Sequence, residues 1–215
     1  MASTPTVLYQ RSKAVRTRAE ILKRAVDIAS AEGLEGLSIG RLASELEMSK
    51  TGVFAHFGSK EELQLATVNV AKEIFLLEVV EPALKSQSGI PRLSALLDAW
   101  LSYVERIVFR GGCFFAAASA EFDSRPGVVR DKIAELARAW ITGLEAEVRR
   151  AQKLGQLSKL TSPRQLVFEL HAFVQEANWA FKLFNEQAAF VRARSAISDR
   201  LARETLARPE GRRKK

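Results

Sequence analysis

Apolar residues recur at helical spacing along most of this chain. Ile21, Leu22, Ala25, Ile28 and Ala29 share one helical face, and Gly33 and Gly36 close the run with residues that tolerate a left-handed backbone. A first helix of about fifteen residues, starting near Thr17, is the consequence. Ser38 is placed to cap a second, short helix whose Ile39, Leu42, Ala43 and Leu46 form a single stripe. Ser49 caps a third, with Val53 and Phe57 one turn apart on its inner face. Ser59-Lys60-Glu61-Glu62 is a capping box, so a fourth helix begins at Lys60.

Pro82, Pro91, Pro126 and Pro163 punctuate the remainder of the chain, the last three where a proline suits the first turn of a helix. Further helices are expected over 91–110, 113–122, 126–154, 163–184 and 186–207. No segment alternates as a strand, so the fold class is all-α. The pattern divides the chain into a flexible basic arm over 1–16, a small three-helix head over 17–63, a larger helical domain over 64–207 and a basic, disordered tail over 208–215.

Composition narrows the picture without redrawing it. With 47% hydrophobic and 27% charged residues, 6 prolines and 12 glycines, the 215 residues make a folded chain. Cys113 alone cannot close an intrachain disulfide, and no basic, apolar leader or long uncharged run is present; a cytoplasmic protein with no membrane partner is expected. A net charge of +8 favours polyanionic partners, although it suits an anionic surface or simple solubility as well. Nucleotide-binding glycine loops and a Gly-x-Ser-x-Gly elbow are missing, and His56 and His171 are too few and too far apart for the common zinc patterns. Glu61 with Glu62, and Glu145 with Glu147, are explained by capping and by solvated helix faces. No enzyme, catalytic residue, metal or cofactor is expected.

The two short helices are separated by about three residues, the spacing of a helix-turn-helix. With Val53 and Phe57 inward, the third helix turns Lys50, Thr51, Gly52, Ala55 and His56 outward, a face without large aliphatic residues that can approach base edges. The stretch Ser49-Lys50-Thr51-Gly52-Val53-Phe54-Ala55-His56-Phe57-Gly58-Ser59-Lys60-Glu61-Glu62-Leu63 resembles the end of the TetR-family DNA-binding domain, which reads close to Ser-Lys-x-x-Leu-Tyr-x-His-Phe-x-Ser-Lys-Glu-Glu-Leu. The resemblance covers roughly 17–65. It implies that Lys50, Thr51, Gly52, Ala55 and His56 face the major groove and that Phe54 and Lys60 lie near phosphates; Ser38 completes the expected DNA-binding set. Phe54 stands where the family usually has tyrosine, Ala55 where a larger residue is frequent, and Glu47 where glycine is favoured in the turn. A positive φ at Glu47 would cost about 1 kcal/mol relative to glycine.

Arg11, Lys13, Arg16 and Arg18 can lie along a phosphate backbone or stand as a solvated end, and so can the tail. Trp100, Tyr103, Phe109, Phe114, Phe115, Phe122, Trp140, Phe168 and Trp179 are an aromatic inventory suited to a cavity among helices. Arg110, Glu121, His171, Gln175 and Asn178 are polar groups able to orient a ligand there. Trp100, Tyr103, Phe114, Phe115, Trp140, His171, Gln175 and Asn178 form the candidate ligand set. Gly111 and Gly112 read as a helix break in preference to a hinge. Leu166, Leu170, Phe173, Ala177 and Phe181 on one late helix, and Phe190, Ala193, Ile197 and Leu201 on the next, are stripes that a bundle would bury. The resemblance implies that the helices 163–184 and 186–207 pair with a second copy. It further implies a homodimeric repressor released from a palindromic operator by a small ligand. The alternative is a helical interaction or scaffold module with a basic surface.

Overall fold

The computed structural model describes residues 4–205, with side chains from Ala14 onward. The tail expected over 208–215 lies outside the described residues. The helices are α1 (Thr4–Glu32), α2 (Ile39–Glu45), α3 (Lys50–Phe57), α4 (Lys60–Phe75), α5 (Glu81–Leu84), α6 (Ile90–Glu105), α7 (Phe114–Phe122), α8 (Val128–Lys153), α9 (Pro163–Phe184) and α10 (Ala188–Glu204). A π-helical segment, Leu76–Val80, joins α4 to α5. The only β-pairing among the described residues is an isolated antiparallel bridge between Leu157 and Thr205. The chain is all-α, as its periodicity requires.

Several boundaries differ from expectation, each for a physical reason. α1 begins at Thr4, so residues 4–16 are helical where an arm was expected; Pro5 sits in the first turn, where its missing N–H costs nothing, and no glycine interrupts the rest of the helix. α6 stops at Glu105, short of Arg110, because Ile107 takes φ 53 and breaks the helical path. α8 starts at Val128, because Gly127 at φ 143 lies outside helical space after Pro126. α10 begins at Ala188 after Asn185 closes α9 in the left-handed conformation.

The chain forms two compact units, Met1–Leu76 with Ile107–Ala137, and Leu77–Arg106 with Arg138–Lys215. The first therefore runs past the expected boundary at Leu63 and takes in α7. Its core holds Ile21, Leu22, Ala25 and Ile28 from α1, Leu42 from α2, Val53 and Phe57 from α3, and Leu63 and Val68 from α4, all buried. Burying each large aliphatic side chain contributes about 1.5–3 kcal/mol.

α7 belongs with this core through two contacts. Glu121 accepts hydrogen bonds from the backbone N–H groups of Leu34 (2.7 Å) and Glu35 (2.9 Å) in the turn that follows α1. Gly111 lies so close to α1 that a Cβ there would stand 1.4 Å from the Ser30 carbonyl oxygen. The glycine expected to be a simple helix break is thus also a site of backbone-to-backbone packing. Glu121, expected among ligand-orienting groups, is a loop cap.

In the second unit α6, α9 and α10 pack around Leu93, Leu97, Trp100, Tyr103, Leu170, Val174, Phe190 and Ile197. Of the two expected stripes, Leu166, Leu170, Ala177 and Phe181 and all four α10 residues are buried; Phe173 is only half-buried. Arg194 ties α10 to α6 through Asp98 (2.7 Å) and Glu105 (2.8 Å).

Candidate nucleic-acid interface

The reader is built by caps. Ser38 Oγ accepts the Arg41 N–H at 3.1 Å and starts α2. After Leu46 the chain turns through Glu47, whose φ is 52, and the Met48 N–H returns to the Ala43 carbonyl at 2.9 Å. The strain anticipated for a side chain in a glycine position is present. Ser49 Oγ then accepts the Gly52 N–H at 3.0 Å, and α3 runs until Gly58 stops it at φ 73.

Val53 and Phe57 are buried, which fixes the rotation of α3. Lys50, Thr51, Phe54 and Ala55 are exposed, while Gly52, His56 and Ser38 are half-buried. Phe54 is 51% exposed, a large ring held in solvent. A Cβ on Gly40 would stand 3.5 Å from Lys50 Cε, so the Lys50 stem lies against α2.

The charges around this face are mostly engaged. Arg41 binds Glu32 at 2.9 Å and Glu45 at 2.6 Å, and Arg24 bridges Glu45 and Asp27. Lys60, expected near phosphate, pairs with Glu35 at 2.7 Å. Its hydrogen bond holds the Glu35 carboxyl below the usual carboxylate range, with Gln64 assisting. Both partners are largely in solvent, where such a pair contributes little, so the Lys60 ammonium can exchange Glu35 for another oxyanion. Arg18, expected in the basic arm, places its guanidinium 5.0 Å above the Phe57 ring. Arg16 is exposed; the side chains of Arg11 and Lys13 lie outside the described residues.

The candidate ligand residues fall in two clusters. Trp100 meets Trp140 edge-on at 5.5 Å and His171 at 5.1 Å, in the second unit, where Tyr103 is fully buried and Gln175 and Asn178 are half-buried on the α9 face that carries His171. Burial pushes the His171 imidazole below its ordinary pKa, which favours the neutral ring. Phe114 and Phe115 instead pack in the first unit, with Phe109 at 5.8 Å from Phe114 and Phe75 at 6.1 Å from Phe115. Local periodicity gives no sign of a groove of about 400 Å³ between α6 and α10, whose apolar floor of Leu101, Ile197 and Leu201 is edged by Ser94, Asp98 and Arg194. Its one signal is an ion pair between residues 96 apart, which only the folded chain brings together.

A capped, tightly turned helix pair presenting a small-residue helix face defines a helix-turn-helix DNA-binding regulator. Comparison with known proteins agrees. Residues 21–67 match the family described as "Bacterial regulatory proteins, tetR family", and residues 89–197 match "Tetracyclin repressor-like, C-terminal domain". The chain belongs to the TetR family of transcriptional regulators, with a helix-turn-helix DNA-binding head and a helical domain of the tetracycline-repressor C-terminal type. It is 32% identical over 101 residues to the HTH-type transcriptional regulator TcmR of Streptomyces glaucescens, a match spanning 46% of this chain and 42% of that relative. Among solved structures it is similar to a TetR transcriptional regulator of Chloroflexus aurantiacus, with a TM-score of 0.81, 21% identity and coverage of 91% of this chain and 100% of the other. It is also similar to AibR in complex with isovaleryl coenzyme A and operator DNA, with a TM-score of 0.67, 21% identity and coverage of 84% and 95%. No described helix is long and apolar enough to cross a membrane.

Proposed function

We propose that this regulator is a homodimeric repressor that reads a palindromic operator through α3 and is released by a small ligand. The observation that carries the reading is the division of α3 into a buried pair, Val53 and Phe57, and an outward set free of aliphatic bulk. Lys50 reaches guanine acceptors or a phosphate, Thr51 bonds either, Gly52 lets the backbone approach, and the Ala55 methyl meets a thymine methyl. His56 lies at the rim of that contact. Ser38 at the start of α2 and Lys60 at the start of α4 hold phosphates, and the exposed Phe54 ring packs on the sugar-phosphate edge.

A palindrome requires a second copy, with reader helices about 34–36 Å apart. Support for the dimer comes from α9, whose Phe168, Ala172, Trp179 and Leu183 form an exposed column beside the buried one, and from the exposed Val191 on α10. The domain division proposed is a reader over 17–63 and a ligand-binding and dimerising region over 64–207.

A ligand site in the helical domain is supported by the aromatic cluster of Trp100, Trp140 and His171, and the similar AibR was solved with isovaleryl coenzyme A and operator DNA. The ligand must bind the DNA-free conformation more tightly, since only differential affinity shifts the equilibrium. Selection of bound sequences from random duplex DNA tests the reader. An inverted repeat should be recovered with the wild-type chain and not with the Lys50→Ala/Thr51→Ala/His56→Ala variant, and recovery of no shared sequence would refute the reading.

A further inference from the structure

Charge around the reader is nearly balanced. Residues 1–76 carry ten Lys and Arg against nine Asp and Glu, whereas residues 138–215 carry sixteen against eight. The reader's cations thus have carboxylates of their own chain to compete with DNA for them. For Lys60 the rival is Glu35, whose Oε1 lies 2.7 Å from the Lys60 ammonium. The other carboxylate oxygen has separate partners: Gln64 Nε2 donates to it at 3.3 Å, and the Arg125 guanidinium stands 3.7 Å away. Gln64 is buried and also donates to the Leu34 carbonyl at 2.9 Å, while the Glu35 N–H is held by Glu121. Glu35 is therefore anchored without Lys60. All of these residues belong to the first unit.

The arrangement suits an exchange of partners. The Lys60, Glu35 and Arg125 side chains are 43%, 44% and 53% exposed, so each pair is solvated and cheap to break. When Lys60 turns to a phosphate, however, Glu35 loses its nearest cation beside a polyanion, and an unscreened carboxylate repels phosphates within about a Debye length. Arg125 answers that repulsion, because it sits on the oxygen that Lys60 does not use. Its place is set by α7: its N–H donates to the Phe122 carbonyl at 3.1 Å, and its guanidinium lies 5.8 Å from the centre of the buried Phe122 ring. The end of α7 thus supplies Glu121 to the backbone of the turn at Glu35 and Arg125 to its side chain.

Taking Lys60 as a phosphate contact, the reading on which this rests, we propose that Glu35 is an internal competitor for Lys60 and that Arg125 is a positioning residue that retains Glu35 when Lys60 crosses to DNA. Arg125 then favours the DNA-bound arrangement without touching DNA. Any shift that withdraws Arg125 leaves Glu35 to Lys60 alone and loosens the phosphate contact while α3 keeps its own geometry.

Binding of the full chain to a fluorescent random-sequence duplex tests this, since phosphate contacts do not need a particular sequence. Lys60→Ala should weaken binding and reduce the slope of log affinity against log salt by about 0.9, one phosphate contact fewer. Glu35→Gln should tighten binding about two- to fivefold, the range of an exposed ion pair, and by clearly less when Lys60 is alanine. Arg125→Ala should weaken binding about twofold in the wild-type background and not at all when Glu35 is glutamine, and Arg125→Lys should keep wild-type affinity. Equal gains from Glu35→Gln with and without Lys60 make Glu35 one more negative charge near DNA and overturn the proposal. An Arg125→Ala loss that persists in the Glu35→Gln chain puts Arg125 on DNA itself, and no loss at all removes its role; either result also overturns it. Urea midpoints of every variant should stay near that of wild type, and a binding loss that follows a fallen midpoint is structural and counts against the proposal in the same way. Failure of the phosphate reading of Lys60 is separately visible: Lys60→Ala then leaves affinity and slope unchanged, and both readings fall together.

Discussion

The Glu121 carboxylate accepts the Leu34 N–H at 2.7 Å, joining residues 87 apart and capping the turn between α1 and α2 from α7. The buried Leu34 and its neighbour Glu35 have their N–H groups satisfied by this one side chain. Glu121→Ala leaves both donors without their acceptor and should cost about 2 kcal/mol, with Glu121→Gln costing less because one oxygen remains. Urea denaturation checks this, with Asp123→Ala, an exposed neighbour, expected to change stability by less than about 0.5 kcal/mol.

Glu47 should respond in the opposite direction. Its φ of 52 is cheap only for glycine, so Glu47→Gly is expected to stabilise the head by about 0.5–1 kcal/mol, after the greater freedom of glycine in the unfolded chain is counted. A rise in the urea midpoint without a change in slope is the expected result; a fall would mean that packing around Glu47 outweighs the strain.

His171 makes stability depend on pH. Burial depresses its folded-state pKa below 6.5, so the folded chain holds fewer protons than the unfolded one on the acid side. Above 6.5 the ring is neutral in both states and contributes nothing. As pH falls below 6.5 the unfolded chain protonates first and stability drops, by at most about 1.4 kcal/mol per pH unit, until the folded-state group also takes a proton. Melting temperatures of wild type and His171→Gln, measured from neutral to acid pH, should diverge on the acid side only, with wild type falling faster.

The exposed column on α9 should govern assembly. Phe168→Lys with Trp179→Lys places two charges in a surface that the dimer would bury, and light scattering should show the mass halved with helicity retained. A dimer that survives both changes would move the interface elsewhere.

Local chemistry makes most of the reader legible. Ser38, Ser49 and Ser59 announce three helix starts within about twenty residues, and Val53 with Phe57 fixes which side of α3 faces out. Pro163 marks the start of α9 to the residue. Contacts made across long stretches of sequence are not legible. Glu121 looks like any half-buried helix carboxylate until α7 is seen against the end of α1, and Lys60 looks free until Glu35 is brought beside it. Phe114 and Phe115 group with Trp100 by composition alone, whereas their place in the first unit depends on Phe75 and Phe109. The π-helical segment after Phe75 has no glycine or proline to signal it.

The uneven charge also governs how an encounter with DNA begins. Electrostatic attraction acts over about a Debye length, before any hydrogen bond can form, and it acts on net charge. Residues 1–76 are close to neutral and residues 138–215 are not, so the pull from a distance falls on the part that reads nothing. Arrival and recognition are then separate events. On the proposed reading, ionic strength sets the rate of the first, and the short contacts of Lys50, Thr51 and Ala55 set how long the second lasts.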